Sequence, residues 1–156
     1  MSNKIYPIGI QNFEKIRKGG YCYIDKTAWI YQMVKTGSYY FLSRPRRFGK
    51  SLLLSTLEAY FQGKKKLFEG LAIEKLEKDW FKYPILHIDL NTEKYDTPER
   101  LENKLNRTLV EWEKIYGAES AETSLAMRFE GIIQRACEKE GQSVVILVDE
   151  YDKPML

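Results

Sequence analysis

In 156 residues the sequence has two cysteines, Cys22 and Cys137, and one histidine, His87. The cysteines lie far apart with no C-x-x-C spacing, which excludes a disulfide framework and leaves too few ligands for a zinc site. A reducing, cytoplasmic setting is the expectation. No apolar run approaches the ~20 residues that a membrane helix needs, and the opening M-S-N-K-I-Y-P-I-G-I lacks the apolar core of a secretory signal. Membrane and export roles fall away. An excess of one charge is also missing: 25 Lys and Arg stand against 22 Asp and Glu, a formal net charge of +3, too balanced for a disordered tail. No internal repeat, low-complexity tract or linker interrupts the chain. What is there is 44% hydrophobic residues in a length that supports one core.

Charge is uneven locally. Residues 44 to 66 hold Arg44, Arg46, Arg47, Lys50, Lys64, Lys65 and Lys66 against Glu58 alone, a net +6 that attracts anions. The aromatics of this stretch do not interleave with the charges as a nucleic-acid surface would require, and Lys64 to Lys66 follow an expected helix end at Gln62 and Gly63, so they read as solvated lysines. Residues 91 to 140 hold eleven acidic and eight basic side chains at helical spacing, the pattern of ordinary solvated helix faces.

Periodicity predicts alternating elements. Residues 12 to 18 form a short helical piece ended by Gly19 and Gly20, and Tyr21 to Ile24 is extended. Asp25 is a candidate N-cap for a helix from Lys26 to Lys35 with Trp29, Ile30, Met33 and Val34 on one side. Tyr39 to Leu42 reads as a buried strand, and a helix follows from Lys50 to Gln62. Residues 64 to 83 suggest two short helices. Ile85 to Leu90 is a second strand; Thr97 and Pro98 open a helix reaching Tyr116, and Ser124 opens another from Leu125 to Glu140. The five aliphatic residues from Val144 to Val148 suit a central parallel strand covered on both faces. Strands alternating with helices make the fold class α/β.

The chemistry concentrates in Leu42-Ser43-Arg44-Pro45-Arg46-Arg47-Phe48-Gly49-Lys50-Ser51, between a predicted strand and a predicted helix. Strand, loop, G-K-S and helix is the layout of a phosphate-binding loop. Such a loop needs a helix N-terminus aimed at the anion, a glycine for close backbone approach, a lysine for the terminal phosphates and a hydroxyl for Mg²⁺. Gly49, Lys50 and Ser51 supply the last three. The usual pattern G-x-x-x-x-G-K-[ST] places glycine where this chain has Arg44, and Pro45 removes one N–H donor. Guanidinium groups on Arg44, Arg46 and Arg47 can compensate by gripping phosphate oxygens in pairs. A short G-K-S alone is also what an ordinary lysine and serine at a helix start look like.

A second segment shifts that balance. Val144-Val145-Ile146-Leu147-Val148-Asp149-Glu150 has the form of a Walker B strand, aliphatic and ending in adjacent carboxylates. Asp149 is the candidate to hold Mg²⁺ through water, and Glu150 the candidate to orient and deprotonate an attacking water. In open α/β sheets both loops belong at the strands' carboxyl ends. The bland alternative is a buried strand that ends in polar turn residues.

At these residues the chain resembles the AAA-ATPase-like family of bacterial P-loop proteins, whose loop reads R-P-R-R-F-G-K-S. The likeness extends to I-G-I-Q-N-F at 8 to 13, Y-I-D-K-T at 23 to 27, L-F-E-G-L at 67 to 71 and V-D-E-Y-D-K-P at 148 to 154. It implies a P-loop NTPase fold, a three-layer α/β/α arrangement with a mostly parallel sheet, here as an incomplete ATPase core. The expected division is an N-terminal extension over 1–38 and the core over 39–156. The resemblance also implies that longer members carry a PD-(D/E)XK nuclease-like domain. In that family pattern the strand between the P-loop and Walker B strands, the γ-phosphate sensor and the arginine finger come later in sequence. The expectation for this chain is therefore weak hydrolysis and possible self-association through bare strand edges.

The resulting expectation is an ATP- and Mg²⁺-dependent P-loop ATPase domain. Nucleotide contacts fall to Arg44, Arg46, Arg47, Phe48, Gly49, Lys50, Ser51 and Leu52, the metal to Ser51 and Asp149, and the chemistry to Lys50 and Glu150. Two alternatives stay open: an ATP- or ADP-gated interaction module without turnover, and a nucleic-acid-binding module using the arginine loop. Asp25 is a candidate to seat base or ribose, though capping explains it without a ligand. Asp89 reads as a turn former, His87 as a core histidine, Tyr151 and Asp152 as organisers of the Walker B turn, and Trp29, Trp80 and Trp112 as packing residues.

Overall fold

The computed structural model describes residues 5–45, 48–91 and 94–155. Arg46 and Arg47 lie outside them. The chain divides into two compact units, Met1–Lys82 and Tyr83–Leu156, and the whole is mixed α/β with a parallel sheet of two strands.

The first unit is helical among its described residues: α1 (Phe13–Lys18), α2 (Thr27–Thr36), α3 (Lys50–Phe61), a 3-10 turn Lys65–Phe68 and α4 (Ala72–Leu76). The Asn12 side chain caps α1 by accepting the Lys15 N–H at 3.0 Å, which fixes the face on which Phe13 and Ile16, three residues apart, are both buried. The Phe13 ring meets Tyr23 edge-on at 5.2 Å and Phe68 at 4.8 Å, and Phe68 lies 5.1 Å from Trp80. Polar bonds lock the same segments together. Ser55 Oγ on α3 accepts the Phe13 N–H at 3.0 Å, and the Arg17 guanidinium donates to the carbonyls of Leu67 and Glu69 at 2.7 and 2.5 Å. The runs 8–13, 23–27 and 67–71 thus build one core around α3.

Two expectations fail here for identifiable reasons. Tyr39 to Leu42 is not a strand: no described segment pairs with it, and Tyr39 and Phe41 are 97% and 74% exposed. Residual apolar character cannot make a strand without a ladder to satisfy its backbone. Trp29 is not a packing residue but 72% exposed. α2 buries only a narrow stripe, Thr27 and Ile30, and Trp29, one residue from Ile30, is turned about 100° from it. Lys64, Lys65 and Lys66 are exposed as expected.

Carboxylates tie the first unit together. Glu14 receives Lys18 and Lys64 at 2.6 and 2.7 Å, which hold its pKa down at about 2. Buried Glu77 accepts the Tyr60 hydroxyl and pairs with Lys35 at 3.0 Å. Burial works to raise its pKa, but Tyr60, the Asp79 N–H and Lys35 outweigh it and hold it below the usual value. Both groups contribute stability that is fully present above their unfolded-state pKa and is lost as pH falls through the lowered folded value. Thermal unfolding followed by circular dichroism is expected to show a midpoint that drops between about pH 5 and pH 2. Glu14→Gln should reduce that drop; an unchanged profile would contradict these pairings.

The second unit runs β1 (Ile85–Asp89), α5 (Pro98–Tyr116), α6 (Leu125–Glu140) and β2 (Val145–Asp149). Both helices start and stop where their local signals predict. Pro98 occupies the first turn of α5, Ser124 Oγ accepts the Met127 N–H at 3.2 Å, and Gly141 closes α6 at φ 65°. The strands are parallel, with Leu86 opposite Ile146 and Asp89 opposite Asp149. Leu86, Leu109 and Ile132 form the centre, with Trp112 and Phe129 packed around them. Across the helix pair Arg128 grips Glu113 at 2.6 and 2.9 Å, and Arg135 grips Glu122 of the connecting loop at 2.6 and 3.0 Å. Gly131 makes room for the second pair, since a Cβ there would collide with the Glu122 carboxylate. The expected double cover of β2 is incomplete: Leu147 is buried, but Ile146 and Val148 are 43% and 39% exposed.

Candidate functional site

The glycine-lysine-serine segment opens α3, without the strand expected before its loop. Gly49 is the N-cap of α3 at φ 78°, ψ 21°, a left-handed conformation in which an L side chain is strained. It offers no side chain to cap the helix, and an α-helix has no acceptors of its own for its leading amides. Lys50, Ser51 and Leu52, the first residues of α3, are half-buried. Before them the backbone curls: the Phe48 N–H donates to the Pro45 carbonyl at 3.4 Å, and Arg44 Nη1 reaches the Phe48 carbonyl at 3.5 Å. Arg44 therefore contacts its own loop, and the Phe48 side chain is 65% exposed. Arg46 and Arg47, the other two guanidinium candidates, fall outside the described residues.

The acidic turn belongs to the second unit, at the carboxyl end of the parallel pair. Asp149 ends β2, and its Oδ1 accepts the Glu150 N–H at 2.9 Å. Glu150 adopts φ 54°, and among the described residues it alone of the non-glycine residues has positive φ. The Leu90 N–H donates to the Asp149 carbonyl at 3.2 Å, continuing the ladder one step past β1. Asp89 is a turn former as expected, its Oδ1 accepting the Asn91 N–H at 2.8 Å. The register that sets it opposite Asp149 was not foreseeable. His87 is half-buried in mid-strand opposite Leu147. Asp152 keeps a buried Oδ1 that finds no hydrogen-bond partner among the described residues.

Sequence reasoning also passed over Lys153. Its ammonium donates to both the backbone carbonyl and the Oδ1 of Asn91, at 2.8 and 2.7 Å. The available signal was its place inside V-D-E-Y-D-K-P.

Asp25 has a structural occupation. Its Oδ1 accepts the Thr27 N–H and hydroxyl at 2.8 and 2.6 Å, and its Oδ2 accepts the Ala72 N–H at 2.7 Å. Lys26, not Asp25, is the N-cap of α2; the carboxylate reaches forward from one residue earlier and serves the starts of α2 and α4 together. Burial works to raise its pKa, and these bonds overcome it and lower it. Asp25→Ala is expected to destabilise the fold by about 2 kcal/mol, because two helix starts lose an acceptor. A nucleotide titration should show affinity unchanged within about twofold; a large loss with stability intact would restore the ligand-seating role.

An apolar cavity of ≈ 290 Å³ in the second unit, lined by Ile88, Leu109, Trp112 and Phe129 among others, offers no phosphate-binding group. Among the described residues no group of three or more His, Cys, Asp or Glu is placed to hold a metal, and none of the helices is long and apolar enough to cross a membrane.

A helix opened by glycine, lysine and serine, together with a parallel strand ending in adjacent carboxylates, are features of nucleotide-binding α/β proteins. The chain matches the family described as Predicted AAA-ATPase over residues 7–156, and it belongs to that AAA-ATPase-like family. It is 44% identical over 158 residues to a protein of Azotobacter chroococcum mcd 1 described as an uncharacterized protein in the vnfD 5'region. The match takes in 100% of this chain and 30% of that relative, so the chain spans about a third of the relative's length. No solved structure matches it.

Proposed function

We propose that the chain is an ATP-binding, Mg²⁺-dependent P-loop domain within a three-layer α/β/α ATPase architecture, working in the cytoplasm. The observation that carries this reading is the start of α3, where a left-handed glycine without a capping side chain precedes Lys50 and Ser51. Backbone amides and the helix dipole there favour an anion. In the first unit Lys50 is the group to neutralise charge on the β- and γ-phosphates and Ser51 a metal candidate; in the second unit Asp149 is a metal candidate and Glu150 the group to orient the attacking water and accept its proton. Mg²⁺ suits such a donor set, because it is commonly held by one or two protein oxygens with phosphates and water completing its shell. When bound it offsets the charge that develops on the phosphates. The nucleic-acid alternative is weakened by Arg44, which is turned onto its own loop, and by Lys64, which is engaged with Glu14. A nuclease-like domain elsewhere in a longer protein fits this reading as an effector whose activity the ATPase would control.

The test is a titration with a fluorescent ATP analogue with and without Mg²⁺, with duplex DNA as competitor, followed by turnover assays. Saturable, Mg²⁺-dependent binding that DNA does not displace is expected. Glu150→Gln should retain binding and lower turnover by on the order of 100-fold or more, the range for loss of a general base. Saturable binding with no turnover in the parent would identify a nucleotide-gated switch, equal turnover in Glu150→Gln and an active parent would remove Glu150 from the chemistry, and absence of saturable binding would end the nucleotide reading.

A further inference from the structure

We infer that Lys153 is a positioning residue that holds the Glu150 turn in its working geometry by clasping Asn91. The role in turnover rests on the ATPase reading above; the clasp itself does not. A left-handed backbone costs a non-glycine residue about 1–2 kcal/mol, and such strain persists only where surrounding bonds over-determine it. At Glu150 two of those bonds are local, the Glu150 N–H to Asp149 Oδ1 at 2.9 Å and the Lys153 N–H to the Glu150 carbonyl at 3.0 Å. Local bonds shape the turn without anchoring it.

The anchor is the Lys153 ammonium, which spans 62 residues of sequence to reach both oxygens of Asn91 at 2.8 and 2.7 Å. An ammonium has three donors and no acceptor, so two carbonyl oxygens suit it, and neither competes with it by ionising. Asn91 is itself held. Its N–H donates to Asp89 Oδ1, and Asp89 is the register partner of Asp149. With the Leu90 N–H donating to the Asp149 carbonyl at 3.2 Å, the bonds close a ring through Asp149, Glu150, Lys153, Asn91 and Leu90 at the carboxyl end of the sheet. Lys153 is the member that joins the turn after β2 to the loop after β1. The clasp is solvent-exposed, so its contribution to global stability is small. Its effect is on where the Glu150 carboxylate points, and a misplacement of about 1 Å can cost on the order of 100-fold in rate.

The experiment compares Lys153→Met, Lys153→Arg and Asn91→Ala with the parent chain by steady-state ATP turnover, thermal unfolding and amide hydrogen exchange. Lys153→Met should lower kcat by on the order of 10- to 100-fold with KM for Mg-ATP within about threefold. Exchange at Glu150 and its neighbours should rise by at least about tenfold, while the β2 amides and the unfolding midpoint stay unchanged. Lys153→Arg, which keeps donors at the end of a long side chain, should recover part of both effects. Asn91→Ala, which removes one of the two oxygens the ammonium holds and leaves the backbone carbonyl, should give a smaller loss of the same kind, and the two losses should not add in the double variant because both act on one contact. Unchanged exchange at Glu150 in Lys153→Met would overturn the clasp whatever the turnover. Changed exchange with unchanged kcat in an active parent would overturn its role in positioning. A parent without turnover would sink the ATPase reading, and the exchange result would still judge the clasp.

Discussion

Lys50→Ala is expected to weaken Mg-ATP binding by on the order of 100-fold, about 2.8 kcal/mol, while leaving the fold as stable as before or slightly more so. The size follows from removing a charge-assisted bond to phosphate, which is worth about 1.5–3 kcal/mol. The sign of the stability change is the more telling part. Lys50 is the first residue of α3, and Gly49 before it supplies no capping side chain. A cation at the positive end of a helix is unfavourable by roughly 0.3–1 kcal/mol, and alanine is the better helix former. A residue kept in a position that costs the fold is accounted for by a ligand that needs it. Isothermal calorimetry and thermal unfolding on the same preparation read both quantities. A variant that binds Mg-ATP normally, or loses binding only because it unfolds, would remove Lys50 from the site.

Phe68→Ala should do the opposite, collapsing stability with no direct bearing on ligand chemistry. Phe68 is fully buried and lies within 5.1 Å of the rings of both Phe13 and Trp80. Truncating such a residue costs about 3–5 kcal/mol, and a domain's whole stability is about 5–15 kcal/mol. For a unit of this size the midpoint should fall by at least about 12 °C. Phe48→Ala is the control: the side chain is 65% exposed, and its loss should leave the midpoint nearly unchanged. Equal effects of the two substitutions would mean that the core around α1 and α3 is wrongly drawn.

These two variants separate what the family-like runs of sequence do. I-G-I-Q-N-F, Y-I-D-K-T and L-F-E-G-L resemble a recognition pattern, yet their residues are spent on structure: Phe13 and Phe68 in the core, Asp25 at two helix starts, and the backbone carbonyls of Leu67 and Glu69 under Arg17. R-P-R-R-F-G-K-S and V-D-E-Y-D-K-P differ. Their described residues include half-buried Lys50 and Ser51 at the start of α3 and, in the second run, Glu150 at φ 54°, left-handed backbone on a non-glycine residue, and irregular backbone that a fold retains at such cost is found disproportionately at functional sites.

Much of the local structure was legible before any coordinates. The helices Pro98–Tyr116 and Leu125–Glu140 and the strands Ile85–Asp89 and Val145–Asp149 lie within a residue of their predicted limits. Caps, prolines, glycines and hydrophobic period are nearest-neighbour physics, and a neighbour in sequence is always a neighbour in space. The G-K-S helix start and the terminal carboxylates were legible for the same reason. Tyr39 to Leu42 was misread because a strand exists only if another strand accepts it, and that is a property of the partner. Trp29 was misread because helical periodicity identifies an apolar side without saying how wide a stripe its neighbours will cover. The second occupation of Asp25 at Ala72, the register of Asp89 against Asp149, and the reach of Lys153 to Asn91 join residues 47, 60 and 62 apart in sequence. The amino-acid order by itself determined where the helices of the second unit and both strands of the parallel pair lie, and which residues are the candidates for phosphate and metal chemistry. Only the tertiary structure decided which carboxylates are consumed by the fold and what holds Glu150 in place, because those bonds form between groups that only chain closure brings within 3 Å.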